Sequence, residues 1–219
     1  MMSNHIFISR ALSKDSIFYR LEKQGYVIEG QSLINIDLLD FDIPEKFDAV
    51  FFYSGIAINH FFSSQAYSSD LSYGVMGKAS ALKFKTQTGH KADIIGEGDI
   101  QRLYSLISEK WSGFTVLVPQ ATHSIQRLER LKTINCLSLP IYKNTINSDI
   151  DIPQTDIVLL TSPLNVEAYL AQHTHHGKDL YAIGETTAKR IEELTDRLVP
   201  YCDIPSEEAL YNLLLDNLT

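Results

Sequence analysis

Apolar residues along this chain follow two alternating rhythms. Short unbroken runs, Ala49-Val50-Phe51-Phe52-Tyr53 and Ile157-Val158-Leu159-Leu160-Thr161, read as strands covered on both faces. Between such runs apolar residues return every three or four positions, as at Ile17 and Leu21 or at Ile125, Leu128 and Leu131, which is the helical period. Strands and helices alternating in this way imply parallel β-α-β units, an α/β fold class.

The same order of elements occurs twice. Strands are expected at Ile6–Ser9 and Thr115–Val118, each followed by an amphipathic helix. A second strand follows at Tyr26–Glu29 and Cys136–Leu139, then the apolar strands quoted above. Helices come next at Ile56–Phe62 and Val166–Leu170. A strand ends at Gly77 or Gly184, with helices Ser80–Thr86 and Thr187–Leu194 beyond. Short strands, Ala92–Ile95 and Leu198–Tyr201, lead to last helices over Asp99–Lys110 and Ser206–Leu218.

Residue identities support a duplication. Ile6-Phe7-Ile8 matches Val116-Leu117-Val118 at an offset of 110, and Asp42-Ile43-Pro44 matches Asp151-Ile152-Pro153 at 109. Asp48 to Ser54 matches Asp156 to Ser162 at 108, and Gly77 to Ala81 matches Gly184 to Ala188 at 107. That period is too long for a solenoid, so two similar lobes of flavodoxin-like kind are expected. The polar, proline-bearing stretches 33–46 and 140–154 are the best linkers. They give a lobe 47–139 and a discontinuous lobe made of 1–32 with 155–219. A simple cut near residue 110 is the alternative.

Composition narrows the class. The 219 residues are 44% hydrophobic and 21% charged, as in ordinary globular proteins. A net charge of −8 without a basic stretch argues against nucleic acid. No run approaches the roughly 18 apolar residues of a membrane span. The start, MMSNHIFISRALSKDS, lacks a signal-peptide pattern, so a cytoplasmic protein is expected. Two cysteines, Cys136 and Cys202, make no disulfide framework.

Candidate chemistry gathers where strands end and helices begin. Ser54-Gly55-Ile56, Lys78-Ala79-Ser80 after Gly77, Ser162-Pro163-Leu164 and Glu185-Thr186-Thr187 after Gly184 are such places. In parallel sheets ligands bind beyond the carboxyl ends of strands. The first N–H groups of a helix can donate to an anion there. Simple N-capping by the serines and threonines is the other reading. No GxGxxG or GxxxxGK[ST] is present. His173-Thr174-His175-His176 lacks companions with zinc spacing and reads as a loop, so no metal is expected. Tyr142, in Pro140-Ile141-Tyr142-Lys143, sits in a proposed linker, where its ring could face a cleft or pack the linker down.

The ordered set of Ser9-Arg10, FYSGIAINHFF (52–62), YGVMGKASAL (73–82), TVLVPQAT (115–122), PIYKNT (140–145), LLTSPLNVEAYL (159–170), AIGETTAKRI (182–191) and PSEEALYNLL (205–214) resembles the uroporphyrinogen-III synthase family. The resemblance implies two α/β lobes joined by a β-ladder of two strands, with the N-terminal segment joining the C-terminal lobe. It implies an enzyme without cofactor that closes hydroxymethylbilane into a macrocycle while inverting ring D, in the cleft between lobes. Tyr142 stands at the position of the proton donor. Arg10 and the strand-end residues named above stand at substrate-binding positions. A monomer is implied, with the bilane as partner and transient contact with the preceding enzyme of the pathway. Gln120-Ala121 replaces a usual Arg-Gly, and Glu185 a usual proline. Those departures motivate the alternative of a non-catalytic binding or sensor protein for a polycarboxylate.

Overall fold

The structure, a computed structural model, describes residues 4–124, 128–152 and 154–218. Strands β1 (His5–Ile8), β2 (Val27–Gly30), β3 (Ile34–Leu38) and β4 (Ala49–Phe52) precede helix α1 (Gly55–Ser64). Then come β5 (Ser72–Val75), α2 (Lys78–Thr88), β6 (Ile94–Ile95), α3 (Ile100–Lys110), β7 (Thr115–Ala121) and the long β8 (Asn135–Ile146). The chain ends with β9 (Ile157–Leu160), α4 (Pro163–Gln172), β10 (Asp179–Ala182), α5 (Glu185–Thr195) and α6 (Glu207–Leu215).

Two compact units result: residues up to Asn35 with those from Thr145 onward (unit 1), and Ile36–Asn144 (unit 2). The sheet of unit 1 has the order β10-β9-β1-β2, with every pairing parallel. The second sheet has the order β3-β8-β7-β4-β5-β6. Its strands from β8 to β6 are parallel. Each sheet therefore joins the first strands of one repeat copy to the later strands of the other. The chain passes between units along β3 and β8. Leu39 N–H donates to Ile141 O, and Asn147 N–H to Leu33 O, both at 2.9 Å. Residue numbers rise on one strand as they fall on the other, so this ladder is antiparallel.

The apolar runs do what two-sided burial requires. In unit 1, Phe7, Val158, Leu160 and Leu180 face α4 and α5, while Ile6, Ile8, Leu159 and Tyr181 face α6 and Phe18. In unit 2, Val50, Phe52 and Leu117 face α1 and α2, while Ala49, Phe51, Val116 and Val118 face α3 and Trp111. Gly74 on β5 is needed for that last contact. A Cβ there would lie 2.6 Å from Trp111 Cη2 and 2.7 Å from Phe51 Cδ2.

Several elements differ from expectation. The segment after β1 is a 3₁₀ helix, Ile17–Gln24, with Phe18 and Leu21 buried. In the second copy only a 3₁₀ turn, Leu128–Arg130, is seen among the described residues, and Ile125 lies outside them. Leu198–Tyr201 is not a strand but contributes one bridge, Ala182 to Tyr201. Its exposed Leu198 finds no covering layer, so apolar character does not become pairing. The ladder strands that the resemblance implied do form within parts of the stretches 33–46 and 140–154, where backbone groups pair with one another. Pro153 of the repeated Asp-Ile-Pro lies outside the described residues.

Candidate active site at the strand ends

Because the strands of each sheet are parallel apart from β3, their carboxyl ends share one edge, and the proposed residues fall on these edges. In unit 2, β4 runs into Ser54, an extended residue whose Oγ accepts the Ala57 N–H at 3.2 Å and so caps α1. Gly55 and Ile56 open that helix and are half-buried. Beyond β5, Gly77 precedes α2 without a side-chain cap. Lys78 and Ala79 of its first turn are exposed and Ser80 is half-buried. That turn carries no acidic residue, so its free N–H groups and the Lys78 ammonium form a cationic corner.

Tyr142 reaches the same edge by a bulge. Along β8, Leu137, Leu139 and Ile141 pack on the α1/α2 face, and Cys136 packs on the other. Strict alternation would send Tyr142 to the side of Cys136. The register shifts instead: Gln120 pairs with Pro140 but Ala121 pairs with Tyr142, leaving Ile141 as the extra residue. Ile141 and Tyr142 are then both buried against the α1/α2 core. The Tyr142 hydroxyl lies 3.1 Å from Ser54 Oγ. Sequence reasoning named both residues but not their contact. The signal that could have pointed to it is the break in apolar alternation at Ile141-Tyr142, which that reasoning did not use.

Unit 1 carries the matching elements with different partners. Ser162 Oγ caps α4 by accepting from Asn165 N–H at 3.2 Å, and also accepts from Asn165 Nδ2 at 2.9 Å. Leu33 N–H donates to Asn165 Oδ1 at 3.3 Å. Ser9 Oγ accepts from Thr161 N–H at 2.9 Å. Pro163 fits the first helical turn and Leu164 is half-buried. Gly184 precedes α5, where Thr186 is exposed and Thr187 is buried, only 3% exposed. Only Thr186 of the two therefore offers its hydroxyl outward. Lys189 hydrogen-bonds Glu185 at 2.7 Å and thereby holds its carboxyl below the ordinary carboxylate value. Arg10, half-exposed, lies 3.9 Å from Glu207, which also accepts from Ser16 Oγ.

Two polar atoms near the unit 2 edge have no hydrogen-bond partner among the described residues: Gln120 Oε1 and Asn144 Oδ1. The buried Gln120 spends its Nε2 on Ser138 Oγ. A groove of about 280 Å³ beside α3 is lined by Glu97, Asp99, Arg102 and Glu109, a largely acidic set unsuited to an anion. No three His, Cys, Asp or Glu side chains group to hold a metal among the described residues, and the His173–His176 run forms no such site.

The model of the family described as uroporphyrinogen-III synthase HemD matches residues 17–212, nearly the whole chain. The chain belongs to the uroporphyrinogen-III synthase family. It is thus an enzyme of tetrapyrrole biosynthesis whose small-molecule substrate is hydroxymethylbilane. Solved structures agree in fold. Uroporphyrinogen-III synthetase from Helicobacter pylori superposes with a TM-score of 0.69 at 16% identity, over 99% of this chain and 100% of that one. A mutant uroporphyrinogen III synthase from the extremely thermophilic bacterium Thermus thermophilus gives 0.60 at 12% identity, over 97% and 96%. No curated protein matches the chain significantly. No helix among the described residues is long and apolar enough to cross a membrane.

Proposed function

We propose that Tyr142 is the proton donor of ring closure and that the strand-end turns of both units hold the carboxylates of the bilane. The observation that carries this reading is the Tyr142 hydroxyl, brought by the β8 bulge to the N-terminal end of α1, 3.1 Å from Ser54 Oγ. Departure of the terminal hydroxyl as water breaks a C–O bond and leaves a pyrrole-stabilised cation. The substituted α-carbon of ring D attacks it to give a spiro intermediate. That intermediate fragments and recloses with ring D inverted, and a proton is released as the macrocycle regains aromatic pyrroles. The substrate's own electron pairs drive each step, so the reading needs no cofactor. The protein must orient the chain and help the hydroxyl leave.

Carboxylate binding is assigned to Gly55, Ile56, Lys78, Ala79 and Ser80 in unit 2, while the Ser54 hydroxyl is engaged with Ala57 N–H and Tyr142. In unit 1 it falls to Arg10, Ser162, Pro163, Leu164, Glu185 and Thr186, and not to Thr187, which is buried with its N–H donated to Gly184 O. Helix N-termini suit anions despite the net charge of −8, because local donors act at contact distance while net charge is screened beyond about 8–10 Å. The lobe and linker boundaries at 1–32 with 155–219, 47–139, 33–46 and 140–154 belong to the same reading. So do a cytoplasmic monomer and brief contact with the enzyme that supplies the bilane. The test is an isomer assay of the purified chain on fresh hydroxymethylbilane, with wild type and Tyr142→Phe compared. Mainly type III product from wild type, and a rate about tenfold to a hundredfold lower for Tyr142→Phe, supports the assignment. An unchanged rate removes Tyr142 from the chemistry.

A further inference from the structure

A serine hydroxyl has one hydrogen and two lone pairs, and so does a phenol. Ser54 Oγ already accepts the Ala57 N–H at 3.2 Å, and 3.1 Å separates it from Tyr142 Oη. Two arrangements satisfy the pair. Where the phenol donates to Ser54, its only hydrogen is used inside the protein and none remains for a ligand. Where Ser54 donates to the phenol, the Tyr142 hydrogen is free to point elsewhere. The helix end favours the second. An oxygen that accepts from the positive end of α1 becomes a better donor and a poorer acceptor.

The pair is built from two departures from the repeat. The bulge at Ile141 turns Tyr142 onto the α1/α2 face. Ala57 stands where the other copy has Asn165, 108 residues later, whose Nδ2 fills the corresponding serine oxygen. With only a methyl at position 57, Ser54 has no competing side-chain donor from that site. Tyr142 is only 7% exposed, so protein groups rather than bulk water set the direction of its hydroxyl.

We infer that Ser54 is a positioning residue that donates to Tyr142 Oη, aims the phenolic hydrogen at the departing hydroxyl and supports the phenolate that forms. This rests on Tyr142 being the proton donor. In the step, the Tyr142 O–H hydrogen passes to the substrate hydroxyl, the C–O bond breaks and water leaves. The negative charge on Oη is held by the Ser54 hydrogen bond until the proton released on reclosure returns to it. Ser54 thus acts through Tyr142 rather than on the bilane.

The experiment measures kcat and KM for type III formation by the full chain. The variants are Ser54→Gly, Ser54→Asp, Ser54→Thr, Tyr142→Phe and the Ser54→Gly/Tyr142→Phe double. Glycine and aspartate are both good helix caps that cannot donate to the phenol, so either variant reports if the other folds poorly. The expected result is a kcat lower by about tenfold for both, with KM for Ser54→Gly within about twofold, as one lost charge-assisted hydrogen bond implies. Ser54→Thr, which keeps the donor, should recover to within about threefold. In the Tyr142→Phe background Ser54→Gly should cost less than about twofold more, since the two act as one unit. An equal loss in both backgrounds, or a loss confined to KM, overturns the inference. If Tyr142→Phe slows turnover but Ser54→Gly does not, this inference fails alone. If Tyr142→Phe changes nothing, the underlying assignment fails with it.

Discussion

Ser54 in unit 2 and Ser162 in unit 1 come from the same position of the duplicated sequence, and both cap the helix that follows a buried strand. Their surroundings differ most tellingly three residues on, at Ala57 and Asn165. Asn165 fills the Ser162 oxygen and also ties down Leu33 N–H, so that helix end is locked by its own unit. Ala57 leaves Ser54 to a tyrosine from β8. The second helix ends differ in the same direction. Gly184 is covered, since a Cβ there would meet Pro205 Cγ at 2.8 Å, and Glu185 enters its first turn. A Cβ at Gly77 would meet nothing nearer than Gly96 O at 3.8 Å, and the turn after it carries Lys78. One architecture thus presents a helix-end edge more occupied by the protein's own side chains in unit 1 and a more open edge in unit 2. Capping and anion binding use the same N–H groups, and neighbouring side chains decide which occurs.

The packing side of this comparison can be broken most sharply at Gly74, which faces Trp111. Unit 1 has the large Tyr181 at the matching position, 107 residues later, and no tryptophan. Gly74→Ala should destabilise by about 3 kcal/mol, since Trp111 and Phe51 must both move. Urea unfolding would measure it, and a loss below a few tenths would show that the β5 face is not tightly packed. Asn165→Ala should cost about 2 kcal/mol, because it leaves Leu33 N–H unpaired and removes a bridge to Ser162. A neutral result would mean that Asn165 does not lock this end.

Tyr169 offers a smaller effect of opposite sign. Its hydroxyl is buried without a partner among the described residues, and burial pushes its pKa up to about 12 from 10.0. Tyr169→Phe should therefore stabilise by about 1 kcal/mol at neutral pH. The raised value means the folded state holds its proton longer than the unfolded state does. The Tyr169 contribution is intact below pH 10 and lost as pH rises from 10 towards 12. Unfolding midpoints at pH 8 and 11 should fall less steeply for Tyr169→Phe than for wild type. The smallest expected effects compare the two helix ends. Lys78→Ala should raise KM about threefold to fivefold with kcat nearly kept, while Glu185→Gln should lower KM by about twofold or less, since Lys189 already engages that carboxylate. A larger effect at Glu185 than at Lys78 would reverse the assignment of the open edge.

The chain's own pattern determined most of the architecture. Runs such as Ala49–Phe52 and Ile157–Leu160 can be satisfied only by cover on both faces, so parallel strands between helices follow from the residues alone. The repeat also exposed the strand-end turns, because serine and glycine at helix starts are local requirements carried by local sequence. Tertiary structure decided the rest. Whether Ile17–Gln24 is a 3₁₀ or α helix, and whether Leu198–Tyr201 pairs, depends on what packs against them. The β8 bulge depends on register against β7, which is set by a partner strand about 20 residues away and not by β8 itself. Tyr142 and Ser54 are 88 residues apart in sequence, and their hydrogen bond exists only because that register brings them to one edge. Periodicity reports which face a residue prefers; long-range pairing alone determines which other residue it meets there.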